Sequence, residues 1–228
     1  MRLRLPSQFS LIVTIFAAAC TAYAPAAVAD EQSAWPQVDS AYGLDDLERE
    51  VPATGTMRCP SVQLVTYRGE TVPYHTPVRV YIGFRDRLRK FEAVVRDTAI
   101  EVYGRAPRQI RHIGTYNCRR IRLWPTLLSE HGVGNGIDIA GFDFPALKKA
   151  QRLPGDAPAK LGKRFEVRIK AHWNATGPIN AVHAKFLLLL TERLRQRQDI
   201  FRVMLGPAYP GHKDHFHFDC APWRMVVI

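Results

Sequence analysis

Gly211-His212-Lys213-Asp214-His215-Phe216-His217-Phe218-Asp219, close to the end of the chain, holds three of the eight histidines within six residues. As a strand, this stretch sends alternate side chains to opposite faces. His215, His217 and Asp219 then share one face, while Phe216 and Phe218 point into a core. Apolar anchoring on one side brings two imidazoles together on the other. There both can approach one metal ion, or one can ligate while the other works beside it. The competing reading, a solvated polar face that happens to carry histidines, fits the density of imidazoles less well.

A second cluster lies upstream: Ser129-Glu130-His131-Gly132-Val133-Gly134-Asn135-Gly136-Ile137-Asp138-Ile139. Three glycines at alternate positions let the backbone turn tightly and run close to other groups. Asp138 opens an apolar strand in which Ile137 and Ile139 face the core, so its carboxylate is sent to the opposite side. An unpaired carboxylate is costly to bury there, and a cation removes that cost. The alternative is a glycine-rich turn with Asp138 capping a neighbouring group. Together the two clusters offer two imidazoles and a carboxylate with an open fourth position, the ligand set of a hydrolytic zinc site.

Around these motifs, Arg85 to Tyr103 places Leu88, Phe91, Val95, Ala99 and Val102 on one face at three- and four-residue steps. That spacing predicts a core-facing amphipathic helix, ended by Gly104 with Pro107 just beyond. A second long helix is predicted from about Ile179 to Arg197, burying Val182, Phe186, Leu187, Leu190 and Leu194. Strands are predicted at Gln109–Tyr116, Gly136–Phe144, Phe165–Lys170 and His215–Cys220, with a short apolar stretch Phe201–Leu205 closed by a Gly206-Pro207 turn. Two helices interleaved with short, mostly hairpin-connected strands predict an α+β domain, a small antiparallel sheet carrying the metal site and flanked by two main helices. Ahead of it, from Asp30 to about Thr56, the chain is polar and punctuated by Pro36, Pro52 and Gly55. This predicts a loosely packed lead-in with one helical turn near Leu44 to Val51.

The 228 residues, 46% hydrophobic and 23% charged, suffice for one sizeable core. Arg2 and Arg4 precede an apolar stretch from about Phe9 to Ala19 and small residues ending Ala27-Val28-Ala29. This is the layout of a secretory signal peptide cleaved before Asp30. Lipidation at Cys20 is the weaker alternative, because the first position of Ala17-Ala18-Ala19-Cys20 is usually a larger aliphatic. The expected organisation is a signal peptide at 1–29, a lead-in at 30–56 and a catalytic-type domain at 57–228. No segment is long and apolar enough for a transmembrane span. The formal charge is +11, and without the first 29 residues the chain keeps 30 basic against 21 acidic side chains. A basic surface suits an anionic partner. Export argues against nucleic acid and predicts a periplasmic or secreted protein.

After cleavage Cys59, Cys118 and Cys220 remain, enough for one disulfide in an oxidising compartment. Cys118 and Cys220 each sit beside one of the motifs, which makes their pairing attractive; Cys59–Cys118 stays open as the alternative. No two cysteines have ligand spacing, so a cysteine-rich zinc site is not expected.

Thr115-Tyr116-Asn117-Cys118-Arg119, then Leu128-Ser129-Glu130-His131 through Asp138, then Leu205-Gly206-Pro207 with Tyr209, and finally His212 to Asp219 resemble the hallmarks of the bacterial extensin-like C-terminal domain family. More widely, His131 and Asp138 with six residues between, followed by a late His-x-His, resemble the zinc peptidases grouped around D-Ala-D-Ala carboxypeptidases, lysostaphin-type endopeptidases and hedgehog-like domains. The resemblance spans roughly Cys59 to Asp219. It implies a carboxypeptidase- or hedgehog-like fold, His131, Asp138 and His217 as zinc ligands, and a peptidase acting on peptidoglycan. It also implies that His215 takes a proton or stabilises the tetrahedral intermediate, with Asp214 in the position of a catalytic glutamate as the second candidate base. Arg119 matches an arginine near the substrate carbonyl or the oxyanion, whereas Arg120 and Arg122 read as surface charges. A non-catalytic wall-binding module with a structural zinc is the alternative. His183 reads as a packed histidine, and His75, His112 and His172 lack ligand-like neighbours. Trp124, Trp173 and Tyr209 are groove candidates whose default is packing.

Overall fold

Gly136–Phe144 forms the longest strand among the described residues, and Ile137, Ile139, Phe142 and Phe144 are all buried along it. In the computed structural model, which describes residues 42–155 and 157–228, this is β4. The expected signal peptide, its cleavage site and Cys20 lie outside the described residues. Before β4 come β1 (Leu64–Tyr67), β2 (Val78–Tyr81) and β3 (Gln109–Gly114); after it come β5 (Phe165–Arg168), β6 (Val203–Leu205), β7 (Phe216–Asp219) and β8 (Met225–Val227). β1 and β2 form their own antiparallel pair.

β4 centres the main sheet. β3 lies antiparallel on one edge, while the other is shared by β7 along Gly136–Ile139 and β5 along Gly141–Phe144. β6 lies outside β7, and β8 pairs parallel with β6. The sheet is therefore mixed rather than wholly antiparallel. After β7 the chain reverses and skips over β6, so β8 arrives in the direction of β6. β1, β2 and β8 are short and lack a long alternating pattern, which left them unread in the sequence.

Among the described residues three helices complete the α+β fold: α1 (Ile82–Tyr103), the single turn α2 (Ile169–His172) and α3 (Asn180–Arg195). α1 buries the predicted stripe of Leu88, Phe91, Val95, Ala99 and Val102, and begins earlier than expected because Ile82 follows β2 directly. α2 takes over the end of the strand predicted at Phe165–Lys170. On α3, Phe186, Leu187, Leu190 and Leu194 are buried, but Val182 is only partly so. Among the described residues no helix is long and apolar enough to cross a membrane.

The aromatic core fixes the strand that matters most. Phe218 stacks on Phe201 at 4.9 Å and meets Phe91 at 5.9 Å, while Trp173 packs edge-on against Phe216 at 5.3 Å. Each buried phenylalanine contributes about 1.5–3 kcal/mol relative to exposure. A one-residue slip of β7 would expose both rings, so its register is strongly specified. The observed register pairs Asp138 with His217.

Two expectations are corrected. The lead-in is packed rather than loose over Tyr42–Val51, while Pro52–Thr56 are exposed. Leu44 is buried against Leu128 and Val133, buried Arg202 pairs with Asp45, and buried Arg49 donates to Glu130 at 2.6 Å. The disulfide is Cys59–Cys118, with the Cα atoms 5.8 Å apart, and Cys220 is a buried free thiol. Alternation along β7 explains this, because Cys220 follows Phe216 and Phe218 onto the core face, away from exposed Cys118.

Candidate metal centre

Asp138 stands at the middle of the β4–β7 pairing, on the face opposite Ile137 and Ile139. His217 comes from the partner strand directly opposite it. His131 is delivered by a 3₁₀ turn, Glu130–Val133, that runs into β4 through Gly134 and Asn135. Gly134 sits at φ 65° and a Cβ there would lie 2.8 Å from the Tyr81 amide nitrogen, so the turn needs glycine at this point. The three side chains converge. His217 Nδ1 is 2.9 Å and His131 Nε2 is 3.3 Å from Asp138 Oδ1, and the two ring nitrogens are 3.1 Å apart. One ligand atom from each lies within 4.8 Å of the others, and among the described residues no other group of three or more histidine, cysteine, aspartate or glutamate side chains does so.

The outer hydrogen bonds decide what faces inward. His131 Nδ1 lies against the carbonyl of Thr115, which can only accept, so that nitrogen carries the proton and Nε2 offers a lone pair. His217 Nε2 lies 2.6 Å from Asp219 Oδ2, so Nε2 keeps its proton, and Nδ1, 2.9 Å from Asp138 Oδ1, is the nitrogen that would turn a lone pair to a bound cation. With a cation bound, two imidazole nitrogens and a carboxylate would converge on it; without one, the Nδ1 proton of a charged His217 bridges to Asp138. Burial works against a charged imidazole at His217, yet its contacts with Asp138 and Asp219 raise its pKa to about 10. Asp138 is likewise held well below the usual carboxylate range: burial opposes this, and the contacts with His131 and His217 outweigh it. Such a cluster calls for positive charge at its centre. A divalent cation meets that demand with ring tautomers already set by Thr115 and Asp219, the arrangement that orients metal-bound histidines. The donor set fits a metal ion.

Residues 39–172 match the family described as extensin-like protein C-terminus. The chain belongs to this family. No curated protein and no solved structure matches it. In this extensin-like chain the matched stretch contains His131 and Asp138 but ends before β7. It is thus shorter than the Cys59-to-Asp219 resemblance expected from the motifs, and His217 joins the other two donors through strand register.

The centre opens onto a cleft of about 320 Å³. His215 sits just ahead of β7, with Nε2 3.9 Å from Asp138 Oδ1 and Nδ1 2.8 Å from Asp214 Oδ1. Asp214 is exposed, and its hydrogen bond with His215 lowers its pKa. Arg119 is exposed on the cleft wall, hydrogen-bonded to the carbonyl of Arg120.

Several participants went unassigned in the sequence. Asp219 shares the face predicted for it, but its service to His217 shows only in the distance between them. The His212 ring lies 4.8 Å from His215 and 5.8 Å from His217, and burial lowers its pKa to about 4. Buried Glu130 accepts from Arg49 and from the Asn135 amide, tying both ends of the 3₁₀ turn. Tyr209 and Trp124 line the cleft together with Trp223, whereas Trp173 packs on Phe216. His183 is buried and meets the Tyr103 hydroxyl at 2.9 Å.

Proposed function

We propose that this protein is an exported zinc metallopeptidase acting on the stem peptides or cross-bridges of peptidoglycan. The observation carrying this reading is the convergence of His131 Nε2, His217 Nδ1 and Asp138 Oδ1 beside an open cleft. Structural zinc sites are closed by four protein donors, whereas catalytic sites use three and keep a position open. Zinc held there supplies an activated water of pKa about 7 and polarises a carbonyl.

The chain's own groups supply the rest. Asp214 holds the proton of His215 on Nδ1, which leaves Nε2 as a base for the water and a later donor to the leaving amine. Asp214 thereby acts through His215. Arg119 provides a permanent positive charge for the developing oxyanion. A mixed sheet presenting the donors beside two long helices supports a D-Ala-D-Ala carboxypeptidase- or hedgehog-like fold. The signal-peptide pattern and the surplus of basic residues suit a periplasmic protein working on an anionic wall.

Digestion of purified sacculi, followed by chromatography of the products, tests this. The zinc-loaded protein should release peptides, and His215→Ala should keep the metal but lose about 100-fold or more of the rate. Binding to sacculi without cleavage by either form would instead establish a wall-binding module with a structural zinc.

A further inference from the structure

The cleft wall carries two guanidinium groups, from Arg119 and Arg122, and Arg122 has no assigned role. Every carboxylate lining the cleft is engaged. Asp138 meets His131 and His217, Asp219 meets His217 and the Ala221 amide, and Glu130 meets Arg49 and Asn135. Among the described residues neither Arg119 nor Arg122 has a carboxylate partner. Elsewhere on the surface Arg85, Arg89, Arg193, Arg195 and Arg197 pair with acids, while the exposed Arg68, Arg108 and Arg164 form no ion pair among the described residues. What sets Arg119 and Arg122 apart is that both line the cleft of the metal centre. Arg120, between the two, turns away and donates to the carbonyls of Pro52, Thr54 and Gly55.

The Arg122 guanidinium lies against Gly211. Gly211 has φ 87°, and a Cβ at that position would lie 2.7 Å from Arg122 Nη2. The guanidinium therefore rests against backbone that only glycine leaves open, one residue before His212 and on the chain that leads into Asp214 and His215. Trp124, Trp223, Met225 and Leu123 add apolar surface to the same cleft. Unpaired, forked donors beside apolar walls and next to a three-donor metal centre match a carboxylate carried on a short peptide.

We propose that Arg122, beside the Arg119 that serves the oxyanion, forms a subsite that takes a carboxylate of the substrate and selects peptides presenting one close to the bond to be cut. This rests on the peptidase reading for its substrate class. The carboxylate is either the free C-terminus or an internal acid of the stem peptide.

The test uses a synthetic stem pentapeptide ending in D-Ala-D-Ala, in three forms: all carboxylates free, the C-terminal carboxylate amidated, and the internal carboxylates amidated. Titration calorimetry in the zinc-loaded His215→Ala background, where turnover is slowed about 100-fold or more, reads binding, and kcat/KM is measured alongside with His215 restored. One amidated form should bind about tenfold or more weakly than the free acid, and which form does so names the carboxylate. Arg122→Gln should bind all three forms at that weakened level, with Arg122→Lys intermediate. Equal binding of the three forms, preserved discrimination in Arg122→Gln, or no binding of the free acid at millimolar concentration each overturns the subsite. Discrimination in binding without cleavage leaves the subsite standing and removes the peptidase; cleavage without discrimination does the opposite.

Discussion

Asp219→Asn isolates the role of the group behind the metal centre. Asp219 Oδ2 lies 2.6 Å from His217 Nε2 in a buried setting, and its other oxygen accepts from the Ala221 amide at 2.9 Å. Asparagine preserves the shape and can still accept from Ala221. Its amide, however, either accepts from His217 as a neutral group or donates to Nε2. In the second case the proton moves to Nδ1, the atom that faces Asp138. Loss of such an outer partner weakens metal affinity by about 10- to 100-fold, which corresponds to about 1.4–2.7 kcal/mol. Competition between the protein and a chelating dye at fixed pH reads the zinc Kd, and circular dichroism melting establishes that the variant is folded. A folded Asp219→Asn protein with an unchanged Kd would refute the assignment of ring tautomers on which the metal centre is built.

Arg49→Met leaves the buried Glu130 carboxylate without its guanidinium and should cost about 3–5 kcal/mol in urea unfolding, with Arg49→Met/Glu130→Gln recovering part of the loss. Cys59→Ala/Cys118→Ala opens a loop of 59 residues and should lower the unfolding free energy by up to about 4 kcal/mol; the wild-type 30–228 protein should show one thiol to Ellman's reagent only after denaturation, from Cys220. Burial lowers the pKa of His183 to about 4, well below its unfolded value of about 6.5. The unfolded state binds this proton first as pH falls. Stability is therefore complete above about pH 6.5 and is lost toward pH 4, with a slope of up to about 1.4 kcal/mol per pH unit that His183→Gln should flatten.

How far the residues could be read without coordinates depended on period and distance. Alternation in Gly136–Phe144 and around Phe216 and Phe218 was enough to send Asp138 and His217 away from the core, because a strand with one buried face has a single acceptable register. The stripe on α1 was equally plain. Partners far along the chain were not visible. The lead-in reads as loose because its anchoring residues include half-buried Asp45 and buried Arg49, polar side chains whose partners, Arg202 and Glu130, lie 157 and 81 residues away. The same alternation that placed His217 also sent Cys220 into the core, and this was outweighed by the nearness of Cys118 and Cys220 to their motifs. His215 precedes β7 and escapes strand alternation, so its contact with Asp214 through a bend had no signature in the spacing. The service of Thr115 is performed by a backbone carbonyl, which no side-chain pattern can reveal.

X-ray absorption at the zinc edge of the loaded protein addresses the central claim most directly. The geometry at His131, Asp138 and His217 predicts one zinc per chain, with two imidazole nitrogens and carboxylate oxygen at about 2.0–2.2 Å and one further light atom from solvent. An Asp138→Ala variant that still holds one zinc in an unchanged shell, or a sulfur scatterer at about 2.3 Å in the native protein, would contradict it.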